Sequence, residues 1–136
     1  MIKNSIIHDC NRIDRTNRAL INIDGVGNRI IGCELYNATS SAIYMHGNEH
    51  IVEYNEIYNT CTDTDDASAF YIGRDPSERG NIIRYNYFHD ICCRNRPNVP
   101  LKGGCGTFAV YNDDGASGTK ILGNVFARCG TWAILN

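Results

Sequence analysis

The chain has 136 residues, a formal net charge of −2, 21% charged residues and a 43% hydrophobic set. That length is one domain or part of one; the composition excludes a disordered tail, and no run approaches the roughly 18 apolar residues of a membrane-spanning helix. The near-neutral balance speaks against nucleic acid or a membrane as the main partner, because both are recognised by concentrated positive charge.

The skew in residue type is more informative. Asn, Ile and Gly occur 16, 17 and 13 times and Leu only five. Asn and Gly are poor in helix interiors and Ile prefers extended backbone, so a helical protein is excluded.

Taken in chain order, two kinds of element alternate. The first is a turn-containing segment, present in weak form at 2–10 and 28–37 and almost as copies at 50–59, 81–90 and 120–128. Its pattern is an aliphatic residue, two or three residues, Asn, one residue, then an apolar residue. Asn55, Asn86 and Asn124 align, with Cys33 and Ser5 in the weaker copies. The second is a strand of two-residue period at 19–24, 42–46, 69–73, 107–111 and 131–135. One side is expected to read Ile21, Ile43, Phe70, Phe108 and Trp132. The other reads Asn22, Tyr44, Tyr71, Ala109 and Ala133, then Asp24, His46, Gly73, Tyr111 and Leu135.

Consecutive members of the first set are spaced by 22, 27, 38 and 24 residues. A base period near 22 with variable insertions predicts a solenoid of short strands, with no room for a helix in each repeat. The predicted fold is all-β: a right-handed parallel β-helix of about five coils, with like residues stacked about 4.8 Å apart. The whole of 1–136 reads as one β-helix segment, with a long loop insertion at about 92–106. The repeated Asn is expected to form a ladder of side-chain amides. The pattern starts and stops mid-repeat, which suggests an uncapped fragment of a longer chain.

Seven cysteines, at 10, 33, 61, 92, 93, 105 and 129, lack the spacing of a metal site. Small buried thiols are the expected role, with a disulfide near the 92–105 insertion as the alternative. No metal and no cofactor is expected.

Chemistry is expected on one flank. The strand ends continue into Asp24, His46, Arg74–Asp75 and Asp113–Asp114, which the register lines up as a polar strip beside Tyr44, Tyr71 and Tyr111. In that register Asp75 and Asp113 are neighbours about 5 Å apart. Close carboxylates push each other's pKa values apart, which suits the acid–base work of glycoside cleavage. Asp113, Asp114 and Asp75 are therefore the candidate catalytic residues. Arg74, His46, Tyr71, Tyr111, Asp66 and Lys102 are the candidate sugar-binding residues, the tyrosines as flat faces and Arg74 as a bidentate clamp. Asp24 reads as a turn residue. His8–Asp9 and His89–Asp90, with Tyr36–Asn37 and Tyr58–Asn59 between them, mark one repeated structural position.

Two stretches carry a family likeness. The stretch from Asp66 through Phe70-Tyr71-Ile72-Gly73-Arg74-Asp75 to Asn86 and Ile91 resembles bacterial right-handed parallel β-helix proteins of the pectate-lyase-like superfold. So does the stretch Val110-Tyr111-Asn112-Asp113-Asp114-Gly115, followed by Gly123-Asn124. The chain differs from that pattern at Asn112 and Ser68. The resemblance implies a secreted, cell-surface or periplasmic parent that degrades polysaccharide, in the glycoside-hydrolase branch. It carries over Asp113–Asp114 and Arg74–Asp75 as groove residues. The alternatives are a polysaccharide lyase acting on uronate-containing glycans and a non-catalytic glycan-binding or adhesion solenoid. The expected partner is a polysaccharide or oligosaccharide.

Overall fold

The computed structural model describes residues 1–92 and 106–136. The first coil carries β1 (Ile2–Lys3), β2 (Ile6–His8) and β3 (Ala19–Ile23); the second, β4 (Arg29–Ile31), β5 (Glu34–Tyr36) and β6 (Ser41–Met45). The third has β7 (Ile51–Glu53), β8 (Glu56–Tyr58) and β9 (Ala67–Gly73); the fourth, β10 (Ile82–Arg84), β11 (Tyr87–His89) and β12 (Thr107–Asp113). The fifth has β13 (Lys120–Leu122), β14 (Val125–Ala127) and β15 (Trp132–Leu135). Each coil contributes one strand to each of three five-stranded sheets, ordered β1-β4-β7-β10-β13, β2-β5-β8-β11-β14 and β3-β6-β9-β12-β15. Neighbouring strands run parallel, as in the aliphatic column of β4, β7 and β10 (Ile30, Val52, Ile83). The fold is an all-β parallel β-helix of about five coils.

The interior is made of like-on-like columns. Ile21, Ile43, Phe70 and Val110 share one register position, and Leu35, Ile57 and Phe88 another. Phe70 and Phe88 are fully buried, which stabilises the fold by roughly 2–3 kcal/mol for each ring.

The corner between the first two strands of each coil takes two residues. Its first position is left-handed throughout: Asn4, Gly32, Tyr54, Tyr85 and Gly123 all have positive φ. Its second position is Ser5, Cys33, Asn55, Asn86 or Asn124, and here the expected amide ladder forms. Asn55 Oδ1 accepts the Cys33 N–H at 2.8 Å, Asn86 Oδ1 the Asn55 N–H at 3.0 Å, and Asn124 Oδ1 the Asn86 N–H at 2.9 Å. Each Asn Nδ2 also donates to the carbonyl of a strand residue one coil back: Ile30, Val52 and Ile83. Buried amides at a corner satisfy backbone groups that no sheet partner can reach.

A second ladder was not apparent in the sequence because one of its members is a histidine. Asn81 Oδ1 accepts the His50 N–H at 3.0 Å, and His50 Nδ1 accepts the Asn28 N–H at 2.9 Å. Fully buried His50 faces the His46 carbonyl with Nε2 at 3.0 Å, so its ring does the work of an asparagine amide. The repeated His/Tyr position is a column of stacked rings. His8, Tyr36, Tyr58 and His89 succeed one another at centroid distances of 4.7, 4.9 and 4.8 Å.

Cys33, Cys61 and Cys129 are buried, as expected of small core thiols, while Cys10 is exposed in the first coil. Cys92 is disulfide-bonded. The rest of the predicted insertion, with Lys102, lies outside the described residues.

Candidate functional site

The third sheet positions the site. Tyr44, Tyr71 and Tyr111 occupy one register column on β6, β9 and β12. Their rings meet edge-on rather than flat: Tyr44 and Tyr71 at 5.3 Å and 56°, Tyr71 and Tyr111 at 5.7 Å and 88°. A groove of about 380 Å³ runs over this face, lined by Tyr44, His46, Asp66, Tyr71, Arg74 and Asp113, with Asn17, Ser41, Ala67 and Gly73 completing its walls.

This register corrects the expected one. Phe108 was aligned with Phe70, and Asp113 with Asp75; in the structure Val110 lies beside Phe70, Tyr111 beside Tyr71, and Asp113 beside Gly73. The displacement is two residues. Both alignments keep the alternation of inward and outward side chains, so the pattern could not separate them. Packing decides: Val110 fits beside Phe70 in the core cluster, which omits Phe108. The Phe108 ring instead contacts Tyr111 at 4.9 Å and the half-exposed Trp132 at 5.9 Å.

The new register reorganises the acids. Asp113 enters the groove, where its Oδ2 accepts the Tyr71 hydroxyl at 2.9 Å, and the Tyr111 ring packs edge-on against that of Tyr71. Gly73 opposite makes this possible: a Cβ there would meet Tyr71 Oη at 2.7 Å and Asp113 Cβ at 3.0 Å. Asp114, in a left-handed turn, lies outside the groove lining and pairs with Arg74 (Nε–Oδ2 3.3 Å). Asp75 is not the cross-coil neighbour of Asp113. It closes its own turn, accepting the Ser77 hydroxyl at 2.6 Å and the Ser77 N–H at 2.9 Å. Those two bonds, the hydroxyl foremost, hold its carboxyl below the usual range. Asp24 likewise accepts the N–H of its neighbour Gly25, as a turn residue.

Two phenols are strongly perturbed. Burial, aided by the hydrogen bond to Asp113, pushes the Tyr71 hydroxyl up to about 12. Burial and then Asp113 push the Tyr111 hydroxyl higher still, with Asp66 adding to the effect. Asp66 and Asp113 both line the groove.

Four groove features were missing from the candidate set. Asn17 comes from the loop after the first coil's second strand. Tyr44 extends the tyrosine column. Ser41 is fully buried in the groove wall, with a hydroxyl that has no hydrogen-bond partner among the described residues. Glu78 lies behind His46. Of these only Tyr44 had a signal, its register with Tyr71.

A larger hollow lies between the 10–18 loop and the neighbouring corners, lined by Asp9, Arg12, Arg15, Asn37 and Thr39. Several of its polar groups are already paired: Arg15 with Asp63, and Asn37 with Asp9 and Asn59. Among the described residues no group of three or more metal-ligating side chains occurs. Comparison with protein-family models, with curated proteins and with solved structures finds no match for this chain.

Proposed function

We propose that the groove is a saccharide site and that the chain is part of a secreted polysaccharide-degrading β-helix enzyme, a glycoside hydrolase. The observation that carries this reading is Asp113: a carboxylate presented in an open groove, oriented by the Tyr71 hydroxyl, beside aromatic faces and a cation. Glycoside cleavage calls for a fixed carboxyl with a second one nearby. In this arrangement Asp113 is the first of the pair and Asp66, which lines the same groove, is the second. Tyr44 and Tyr71 offer apolar faces and edges to sugar rings, and Arg74 with His46 hydrogen-bonds hydroxyls. Asp114 serves by holding Arg74, and Asp75 by closing the turn.

The balance of charge favours hydrolysis of a neutral glycan over elimination from a uronate. Among the described residues Asp66, Asp113 and Asp114 outnumber Arg74 as the fixed charge around the groove, and a lyase needs positive charge to neutralise its substrate's carboxylate.

The test is Asp113→Asn. Reducing-end release from neutral plant cell-wall glycans is expected to fall about 10²-fold or more, with glycan binding retained. Undiminished cleavage by the variant refutes the assignment. Products bearing an unsaturated, ultraviolet-absorbing sugar identify a lyase instead, and binding without any cleavage by the unaltered chain identifies an adhesion module.

A further inference from the structure

One buried acid has no part in the scheme above. Glu78 follows the Asp75–Ser77 turn and is 4% exposed. Its Oε1 accepts the Gly47 N–H at 2.7 Å and lies 3.3 Å from His46 Nδ1. Its Oε2 has no hydrogen-bond partner among the described residues.

A structural cap does not account for this. Burying a carboxylate with one oxygen unsatisfied costs more than a single backbone hydrogen bond returns. A glutamine in the same place would accept the Gly47 N–H without carrying a buried charge. What a carboxylate adds is a negative, acceptor-only partner for the imidazole. The other face of that imidazole is free to reach the groove: the His46 side chain is 55% exposed and lines it together with Tyr71, Arg74 and Asp113. The second acid near His46, Asp75, is occupied by Ser77. An acceptor 3.3 Å from Nδ1 favours the ring proton on Nδ1, which leaves the Nε2 lone pair for whatever occupies the groove.

We infer that Glu78 is a positioning residue that fixes His46 as the Nδ1–H tautomer, so that Nε2 accepts a hydrogen bond from a saccharide hydroxyl. The saccharide part of this inference rests on the reading of the groove given above; the Glu78–His46 pairing does not.

The test is the nitrogen-15 spectrum of the His46 ring in the folded chain, recorded at a pH where the imidazole is neutral. The unaltered chain is expected to show a protonated Nδ1 and an unprotonated Nε2, and Glu78→Ala, which removes the acceptor, to move the ring toward the Nε2–H form that free imidazole side chains prefer. Glu78→Ala and His46→Ala are each expected to lower kcat/KM on glycan about tenfold. The double variant should be no worse than either, since coupled residues are not additive. A Nε2–H ring in the unaltered chain, or multiplying effects in the double variant, overturns the inference. If the ring behaves as expected while Asp113→Asn leaves cleavage intact, the saccharide reading fails and the paired tautomer stands.

Discussion

Tyr71 and Asp113 are 42 residues apart in sequence, and the Tyr71 hydroxyl donates to Asp113 Oδ2 at 2.9 Å. The contact exists because β9 and β12 run side by side with Asp113 opposite Gly73, the one position on β9 that leaves room for both groups. Tyr71→Phe is expected to lower stability by about 1 kcal/mol, the worth of one hydrogen bond, and to reduce glycan cleavage by a larger factor. Gly73→Ala is the sharper probe. Its methyl displaces the Tyr71 hydroxyl and Asp113, and misplacement by about 1 Å costs on the order of 10²-fold in rate. Cleavage assays beside thermal melts separate the two effects, and unchanged cleavage by Gly73→Ala contradicts the geometry.

The perturbed phenols predict behaviour in alkali. Tyr71 titrates at about 12, mainly through burial, and Tyr58 at about 12, mainly through its hydrogen bond to Glu34. Both lie above the ordinary tyrosine value of about 10, so the fold favours the protonated phenol. Their contribution to stability is fully present below pH 10 and is lost as pH rises through about 12. Phenolate absorbance is expected to keep rising to that pH, and Tyr71→Phe should remove one component of the late rise. A titration complete within about a unit of the ordinary value contradicts this.

The ladder makes Asn86 a stability residue. Its Oδ1 accepts from both the N–H and the Nδ2 of Asn55, and its Nδ2 donates to Val52 O and Asn124 Oδ1. Asn86→Ala removes a partner from Asn55 and Val52 in the third coil and from Asn124 in the fifth, and is expected to cost about 3 kcal/mol, or about 10 °C in Tm. Asn22→Ala, on the exposed face of β3, should stay within about 0.5 kcal/mol. Calorimetry of the pair decides whether the ladder or the abundance of Asn matters.

Two glycines with similar backbones should respond differently. Gly47 has φ +100 and Gly115 φ +82, but a Cβ on Gly47 would collide with the Gly25 carbonyl in the coil before, whereas one on Gly115 meets nothing. Gly115→Ala is expected to cost about 1 kcal/mol of backbone strain. Gly47→Ala should cost several times more, because the two coils must separate. Urea midpoints of the two variants give the comparison.

The repeat was legible because a one-residue error in a strand exchanges its faces, so alternation fixed which side of each strand is inward. The corner Asn column was legible because the same residue recurs in the strongest copies. What failed is equally physical. A two-residue displacement of β12 preserves alternation, and only the volume beside Phe70 and the tyrosine column select Val110 and Tyr111. That displacement removed Asp75 from the acid pair and left Asp113 beside Gly73. Glu78 carried no signal, because its partner His46 lies in a different coil and no repeat position links them. His50 escaped notice as a ladder member because an imidazole and an amide look unlike in sequence, although both accept a backbone N–H at similar reach.

The parallel stacking gives the molecule a direction. Its outermost strands, β1, β2 and β3 at one end and β13, β14 and β15 at the other, each have a strand partner on one side only among the described residues. The two ends are not equivalent, since every coil is traversed in the same sense. A second copy meeting either end in parallel register can do so only head to tail, and such a contact does not close on itself. Any further coil, of this chain or of another, would therefore add along the axis in the same sense, extending the flank that carries the tyrosine column.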